Sequence, residues 1–312
     1  MVTVREETTV DFESTARIAT EAFGSKDVKF SPERMKWLYE RGFGQDSRLV
    51  GAFDGDKKVG QIVLLHQKLC LDGQPVIATQ LIDLFVLQAY RSPTLLRQLY
   101  KEVERLCKAN NIRIVLTLPN AKSAPLNERL MKLRPFLQLP LRMGVSLWWF
   151  GTSHLSYSGR LDTLPASEAI NLLSGFATPP TENGVRWDAL SLSGRIADPT
   201  CDYAVHATAN LLLVSSARKT LGAGYVLLCG FFARTQTAVA SREVNALIRA
   251  ACRYWKKPLF VYAGINNSLP RPPGFALPGR LRRPILLQLR DFESEPAALT
   301  FDRFQLIDSD FV

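Results

Sequence analysis

The chain has 312 residues, 46% hydrophobic and 22% charged, a globular composition long enough for about two domains of ordinary size. Its 39 basic residues outnumber 29 acidic ones, giving a formal net charge of +10; that surplus suits anionic ligands such as nucleotide phosphates, nucleic acid or acidic glycans, while the scatter of Lys and Arg reads mostly as solvated surface. No apolar run approaches the roughly 18 residues of a membrane helix, and the N-terminus lacks the apolar core of a signal segment.

In chain order, Val4-Arg5 is extended and Asp11 opens a helix through Phe12, Ala16, Ala19 and Phe23. Ser31-Pro32-Glu33 opens a second helix carrying Met35, Trp37, Leu38 and Tyr39. Residues 48–53 and 58–65 form a hairpin around Asp54-Gly55; Asp54 and Asp56 lack the further oxygen ligands of a calcium loop and read as turn residues. Asp72-Gly73 turns the chain into residues 77–87, where 81–87 is apolar except for Asp83, as expected of a strand buried on most of both faces. A helix follows at once, with Ser92 as N-cap, Pro93 at the first position, and Leu95, Leu99, Val103 and Leu106 at helical spacing. Residues 112–118 read as a second buried strand ending at Pro119-Asn120. Strand, turn, helix and strand predict a crossover unit whose helix N-terminus faces whatever binds at the first strand's end. Unpaired N–H groups and the macrodipole make that terminus an anion site, and Arg91 adds charge, so the unit suits a phosphate or pyrophosphate.

Residues 81–133 resemble the core of the GNAT acyltransferase superfamily, and the opening strand and helix agree with it. The resemblance implies an α/β (α+β) fold built on a mixed, mostly antiparallel central sheet flanked by helices. It also implies that acetyl-CoA or another acyl-CoA lies between two splayed strands, against Phe85, Val86, Leu87 and Gln88, with its pyrophosphate on the turn of Arg91, Ser92, Thr94 and Leu95 and with Asn120 at the second strand's end. The family turn commonly reads Gln/Arg-x-x-Gly-x-Gly/Ala; here Gln88 or Arg91 is followed by Ser92 and Thr94, and both glycines are gone. Glycine lets backbone N–H groups approach phosphates closely, so either the hydroxyls of Ser92 and Thr94 substitute or this copy has lost its cofactor. The tyrosine that protonates the departing thiolate in the family is absent from 121–135, and Tyr90 substitutes only if its turn points inward. Asp83 and Glu128 are the candidate general bases, with plainer readings as a buried structural carboxylate and a helix-surface residue.

Residues 142–150, with Trp148 and Trp149, read as a closing strand, and 151–159 as a linker. A helix follows Pro165, through Ala169, Leu172 and Leu173, and from there the first half repeats. Arg186-Trp187 matches Lys36-Trp37, and Gly222–Leu228 matches Val59–Leu65. In the best register Cys107 and Cys252, 145 residues apart, each run from a helix end into a strand. The expectation is two tandem GNAT-like domains, 1–150 binding acyl-CoA and 151–312 degenerate, since residues 233–242 offer Arg234 and hydroxyls without the glycines of a phosphate turn. Residues 268–284 carry Arg271, Arg280, Arg282 and Arg283 on a proline-rich connection or lid. The tail from Phe304, ending in a strand and an acidic pair, resembles that of some tandem GNAT-like proteins.

Cys70, Cys107, Cys201, Cys229 and Cys252 have no close pairs, which favours reduced thiols and the cytoplasm. His66, His154 and His206 are isolated, no metal set is expected, and no Gly-x-Ser-x-Gly, Walker or Cys-x-x-Cys motif is present. Nucleic-acid binding has charge in its favour but no motif. The function implied by the resemblance is acyl-CoA-dependent N-acyl transfer, most simply acetyl transfer, to the primary amine of a small-molecule acceptor; the alternative is an inactive GNAT-like scaffold.

Overall fold

The computed structural model describes residues 1–24, 30–44, 47–147, 155–178, 182–220, 222–234, 238–279, 285–293 and 299–310. The chain begins with β1 (Val2–Glu7), α1 (Phe12–Phe23) and α2 (Pro32–Glu40). Asp11 caps α1 by accepting from Ser14 N, and Ser31 caps α2 by accepting from Arg34 N. β2 (Arg48–Asp54), β3 (Lys57–Leu71) and β4 (Gln74–Val86) form an antiparallel meander, followed by α3 (Pro93–Ala109) and β5 (Ile114–Thr117), which runs parallel to β4. α3 is strongly one-sided: Leu95, Leu99, Val103 and Leu106 are buried, joined by Tyr100 and Cys107. Next come α4 (Ala124–Met131), β6 (Arg134–Leu139) and β7 (Leu141–Val145).

The second half contains β8 (Tyr157–Gly159), α5 (Ala166–Ser174), β9 (Gly184–Val185), α6 (Ala189–Ile196), β10 (Tyr203–Ala207), β11 (Leu211–Thr220) and β12 (Ala223–Ala233). It ends with α7 (Ser241–Tyr254), β13 (Leu259–Asn266), β14 (Phe275–Ala276), β15 (Ile285–Asp291) and β16 (Arg303–Gln305). β12 and β13 pair in parallel around α7 as β4 and β5 do around α3. The equivalence extends to single atoms. Asn111 and Lys256, 145 residues apart, both have φ of 53°, and Ile112 N donates to Cys107 O at 2.9 Å as Lys257 N does to Cys252 O at 3.0 Å.

Two of the expected correspondences are corrected. Of Gly222–Leu228, all but Gly222 belongs to β12, which takes the place of β4 beside the parallel strand rather than that of β3. Lys36-Trp37 lies inside α2, whereas Arg186-Trp187 precedes α6. Similar hydrophobic runs in neighbouring strands allow such slips; the helix-to-strand junction, with its αL residue, does not. The expected closing strand ends at Val145, and Trp148 to Phe150, His154, Arg280, Arg282 and Arg283 lie outside the described residues.

The halves exchange strands. β6 and β7 part at Pro140: β6 stays with the first sheet and β7 pairs antiparallel with β13. In return β15 inserts between β5 and β6, so the first sheet runs β1-β2-β3-β4-β5-β15-β6. β9 and β16 join the sheets, pairing respectively with β3 and with β13. At that seam Gly184 has φ of 146°, and a Cβ there would stand 2.3 Å from Arg303 O, a contact only glycine avoids. Among the described residues no helix is long and apolar enough to cross a membrane.

Candidate functional site

β4 and β5 pair only over Ala78–Gln80 and Ile114–Leu116. Beyond them Thr117 Oγ1 donates to Leu81 O at 2.9 Å, and among the described residues no strand pairs with 81–86 on the side away from β3. The register of β4 against β3 slips here, with Asp83 and Leu84 facing the single residue Ile62, and Asp83 sits at φ 46°. This is a β-bulge, which re-aims side chains and frees ladder groups. Gly60 permits the close return of β4, since a Cβ there would meet Phe85 O at 2.8 Å. The result is a cleft edged by unladdered backbone, and the N-terminus of α3 opens just past its mouth.

The bulge turns Asp83 toward α2. Tyr39 donates its hydroxyl to Asp83 Oδ2 at 2.6 Å and accepts from Gln61 Nε2 at 3.1 Å. Burial, followed by the Asp83 charge, raises the Tyr39 phenol well above its ordinary value, so it remains a donor. Glu128 belongs to a different network: it is exposed on α4 and accepts from Gln288 of β15 at 3.0 Å. Gln288 also binds Ala124 O and Asn127, which makes Glu128 part of the fastening of α4.

The turn folds as its residues dictate. Ser92 Oγ accepts from Leu95 N at 3.1 Å, and Pro93 fills the first helical position. Gln88 and Thr94 are exposed, while Phe85, Val86, Leu87 and Leu95 are buried side chains. Leu87 N is spent on Val59 O, and Leu95 N on Ser92. Arg91 acts as a strut: its Nε donates to Val86 O at 3.0 Å and an Nη to Ala22 O at 2.6 Å, tying the turn to the last turn of α1. Tyr90 donates to Asp54 Oδ2 at 3.1 Å in the β2–β3 hairpin, so the inward orientation needed for thiolate protonation is absent. Asn120 accepts from Lys122 N and Ser123 N, both at 2.9 Å, shaping the entry to α4. What remains for an anion is the start of α3 with the Ser92 and Thr94 hydroxyls, which suits a phosphate without Arg91.

The acidic pair of the tail, visible in the sequence, lands on buried glutamines of the first sheet. Gln80 Nε2 donates to Asp310 Oδ1 at 2.6 Å, and Gln67 Nε2 donates to Asp308 O at 2.8 Å and to Gln80 Oε1 at 3.2 Å. Asp308 accepts from Trp187 Nε1 at 2.6 Å and from Gln305 N at 2.7 Å. Burial raises both acids above the ordinary carboxylate range. Glutamines at buried strand positions, Gln61, Gln67 and Gln80, were the available sequence signal, since an apolar strand has no use for them unless they pair.

In the second half the corresponding cleft is filled. β12 and β13 pair over Val226–Leu228 and Phe260–Tyr262, and β16 then lies against Gly264–Asn266. Gln305 presents its amide to both backbone polar groups of one residue like a missing strand, Oε1 accepting from Phe231 N at 2.9 Å and Nε2 donating to Phe231 O at 3.0 Å. Among the described residues no cluster of three or more His, Cys, Asp or Glu side chains could hold a metal ion.

The family model for the acetyltransferase (GNAT) domain matches residues 3–129, the stretch that contains the bulged strand, the turn and α3. The chain carries a GNAT domain. Members of that family move an acyl group from acyl-CoA to an amine. No curated protein matches the sequence. Solved GNAT structures share the fold over nearly the whole chain. A probable N-acyltransferase of Enterococcus faecalis V583 is 11% identical with a TM-score of 0.67, covering 94% of this chain and 73% of its own. A GCN5-related N-acetyltransferase of Kribbella flavida is 12% identical with a TM-score of 0.62, covering 95% and 73%. The N-myristoyltransferase of Saccharomyces cerevisiae with bound myristoyl-CoA is 13% identical with a TM-score of 0.58, covering 98% and 83%. At these identities the likeness establishes the fold.

Proposed function

We propose that this GNAT protein transfers an acyl group, in the first instance acetyl, directly from acyl-CoA to the primary amine of a small molecule. The observation that carries the reading is the parting of β4 from β5 beyond Gln80, with the N-terminus of α3 at the open end. Acyl-CoA supplies the activated thioester. Backbone N–H groups of the bulged segment and of Gln88 polarise its carbonyl, while Ser92, Thr94 and the start of α3 receive phosphate oxygens. Asp83, oriented by Tyr39, removes the proton from the attacking nitrogen. Residues 1–150 hold the working site, 151–312 form the degenerate copy, and the five free thiols suit the cytoplasm.

The test is thermal unfolding with and without acetyl-CoA and a medium-chain acyl-CoA, on the wild type and on Thr94→Glu. The variant places a carboxylate where phosphate would sit, at a helix start that tolerates it. A ligand that binds only the folded state raises its stability by mass action. A shift in the wild type that is lost in Thr94→Glu supports the reading. No shift at millimolar ligand overturns it and leaves the scaffold alternative, which the engagement of Arg91 with backbone carbonyls favours.

A further inference from the structure

The N-terminal half of α7, the end of β7 and residues 270–274 bound a cavity of about 470 Å³, a volume in the range of small-molecule pockets. Its walls are largely apolar: Val244 and Ile248 come from α7, Phe260 from β13, and Pro270, Pro272 and Pro273 from the loop between β13 and β14. Two glycines permit this shape. A Cβ on Gly144 would stand 2.3 Å from Phe260 Cζ, and one on Gly274 would stand 2.5 Å from Met143 O, so the ring and the loop can close on β7 only where side chains are missing. Arg142 pins the loop, donating from Nε to Pro273 O at 3.0 Å and from an Nη to Gly274 O at 2.7 Å. With φ fixed at three prolines, this wall is set before any ligand arrives.

Two guanidiniums line the same cavity, Arg249 of α7 and Arg271 of the loop. Among the described residues neither makes a hydrogen bond or ion pair. Arg249 Nε is buried without an acceptor, while its Nη ends and the exposed Arg271 stay accessible. No acid offsets them. Residues 141–147 and 258–279 contain neither Asp nor Glu, and the one acid of α7, Glu243, is turned to Thr208 and Asn210, accepting at 3.0 and 3.2 Å, and to Ala240 N. A partly buried cation without a counter-charge favours an anion, and apolar walls favour an anion that carries hydrocarbon. Val145 and Leu147 also line the cavity and are 65% and 50% exposed, apolar surface left uncovered beside the two cations.

We propose that this cavity binds a small amphiphilic acid, a medium-chain carboxylate. Its hydrocarbon lies against Ile248, Phe260 and the prolines, and its head pairs with Arg249 and Arg271. The site shares no residue with the turn, the bulged strand or the tail, and it stands whether or not acyl-CoA binds in the transfer cleft.

Isothermal titration of the full chain with decanoate tests the proposal. Saturable binding is expected, weakened at least about tenfold by Arg249→Gln/Arg271→Gln. Decanol, which lacks the charge, and acetate, which lacks the chain, should each bind more weakly than decanoate. Saturating acetyl-CoA should leave the decanoate isotherm unchanged. Circular dichroism checks folding, and if the double variant does not fold, Arg271→Ala on the exposed loop decides alone. No saturable binding at millimolar decanoate, binding unchanged in the arginine variant, or displacement by acetyl-CoA overturns the proposal. So does sedimentation with phosphatidylglycerol vesicles in the absence of decanoate binding, which would make the patch a membrane contact.

Discussion

Tyr39 donates its hydroxyl to Asp83 at 2.6 Å, joining helix α2 to the bulge of β4. Removing that hydroxyl takes the donor from a half-buried carboxylate and the acceptor from Gln61 Nε2. Tyr39→Phe should therefore cost about 1–3 kcal/mol in urea unfolding. In a double-mutant cycle with Asp83→Asn the two losses should fall short of additivity, because both break one contact. In the proposed reaction, Asp83→Asn should lower kcat by about 10²–10⁴-fold while Glu128→Gln leaves it within a few-fold, measured by CoA release.

Arg91 offers a sharper contrast with Thr94. Because its guanidinium holds Val86 O and Ala22 O, Arg91→Ala should lower stability by about 1–2 kcal/mol. The rise in Tm caused by acetyl-CoA should nevertheless persist in Arg91→Ala and vanish in Thr94→Glu. Parallel thermal shifts on both variants check this, and loss of the shift in Arg91→Ala would assign the guanidinium to the phosphates after all.

Gln305 is fully buried and serves both polar groups of Phe231, with Tyr262 donating to its Oε1 at 3.2 Å. Gln305→Leu keeps the bulk and takes the acceptor from Phe231 N and Tyr262, while Phe231 O keeps Asn266 Nδ2 at 3.0 Å, so a loss of about 1–3 kcal/mol is expected from chemical denaturation. A variant within 0.5 kcal/mol of the wild type would mean that water replaces the amide.

His206 sits between two serine hydroxyls, Nδ1 at 2.8 Å from Ser158 Oγ and Nε2 at 2.9 Å from Ser215 Oγ. Burial pushes its imidazole down to about 3, against about 6.5 in the unfolded chain. Between those values the unfolded chain binds a proton that the folded chain refuses. The His206 contribution is thus fully present above pH 6.5 and is lost as pH falls toward 3, at up to about 1.4 kcal/mol per unit. The stability of His206→Gln should fall less steeply than that of the wild type across this window, as read from paired urea titrations.

The local elements were legible because their signals are local. Ser92-Pro93, the α3 stripe and the Asp54-Gly55 hairpin lie where the sequence puts them, and the repeat emerged at the junction where Asn111 and Lys256 take the same αL conformation. Partnerships between distant residues were not legible. Nothing around Arg91 states that Ala22 O lies within reach, and nothing around Asp310 states that Gln80 awaits it. Strand β15 was missed because its apolar run, Ile285-Leu-Leu, follows a proline- and arginine-rich stretch that reads as a loop. Its place between β5 and β6 depends on the other half of the chain.

That placement bears on how the protein is made. When β5 leaves the ribosome, the strand that will cover its outer edge has not been synthesised, because β15 begins only at Ile285. At translation rates of roughly 5–20 residues per second, the buried run Ile114–Thr117 waits on the order of ten to thirty seconds with open backbone groups. Until β15 arrives, the outer edge of β5 is an unpaired strand edge of the kind that invites non-native pairing.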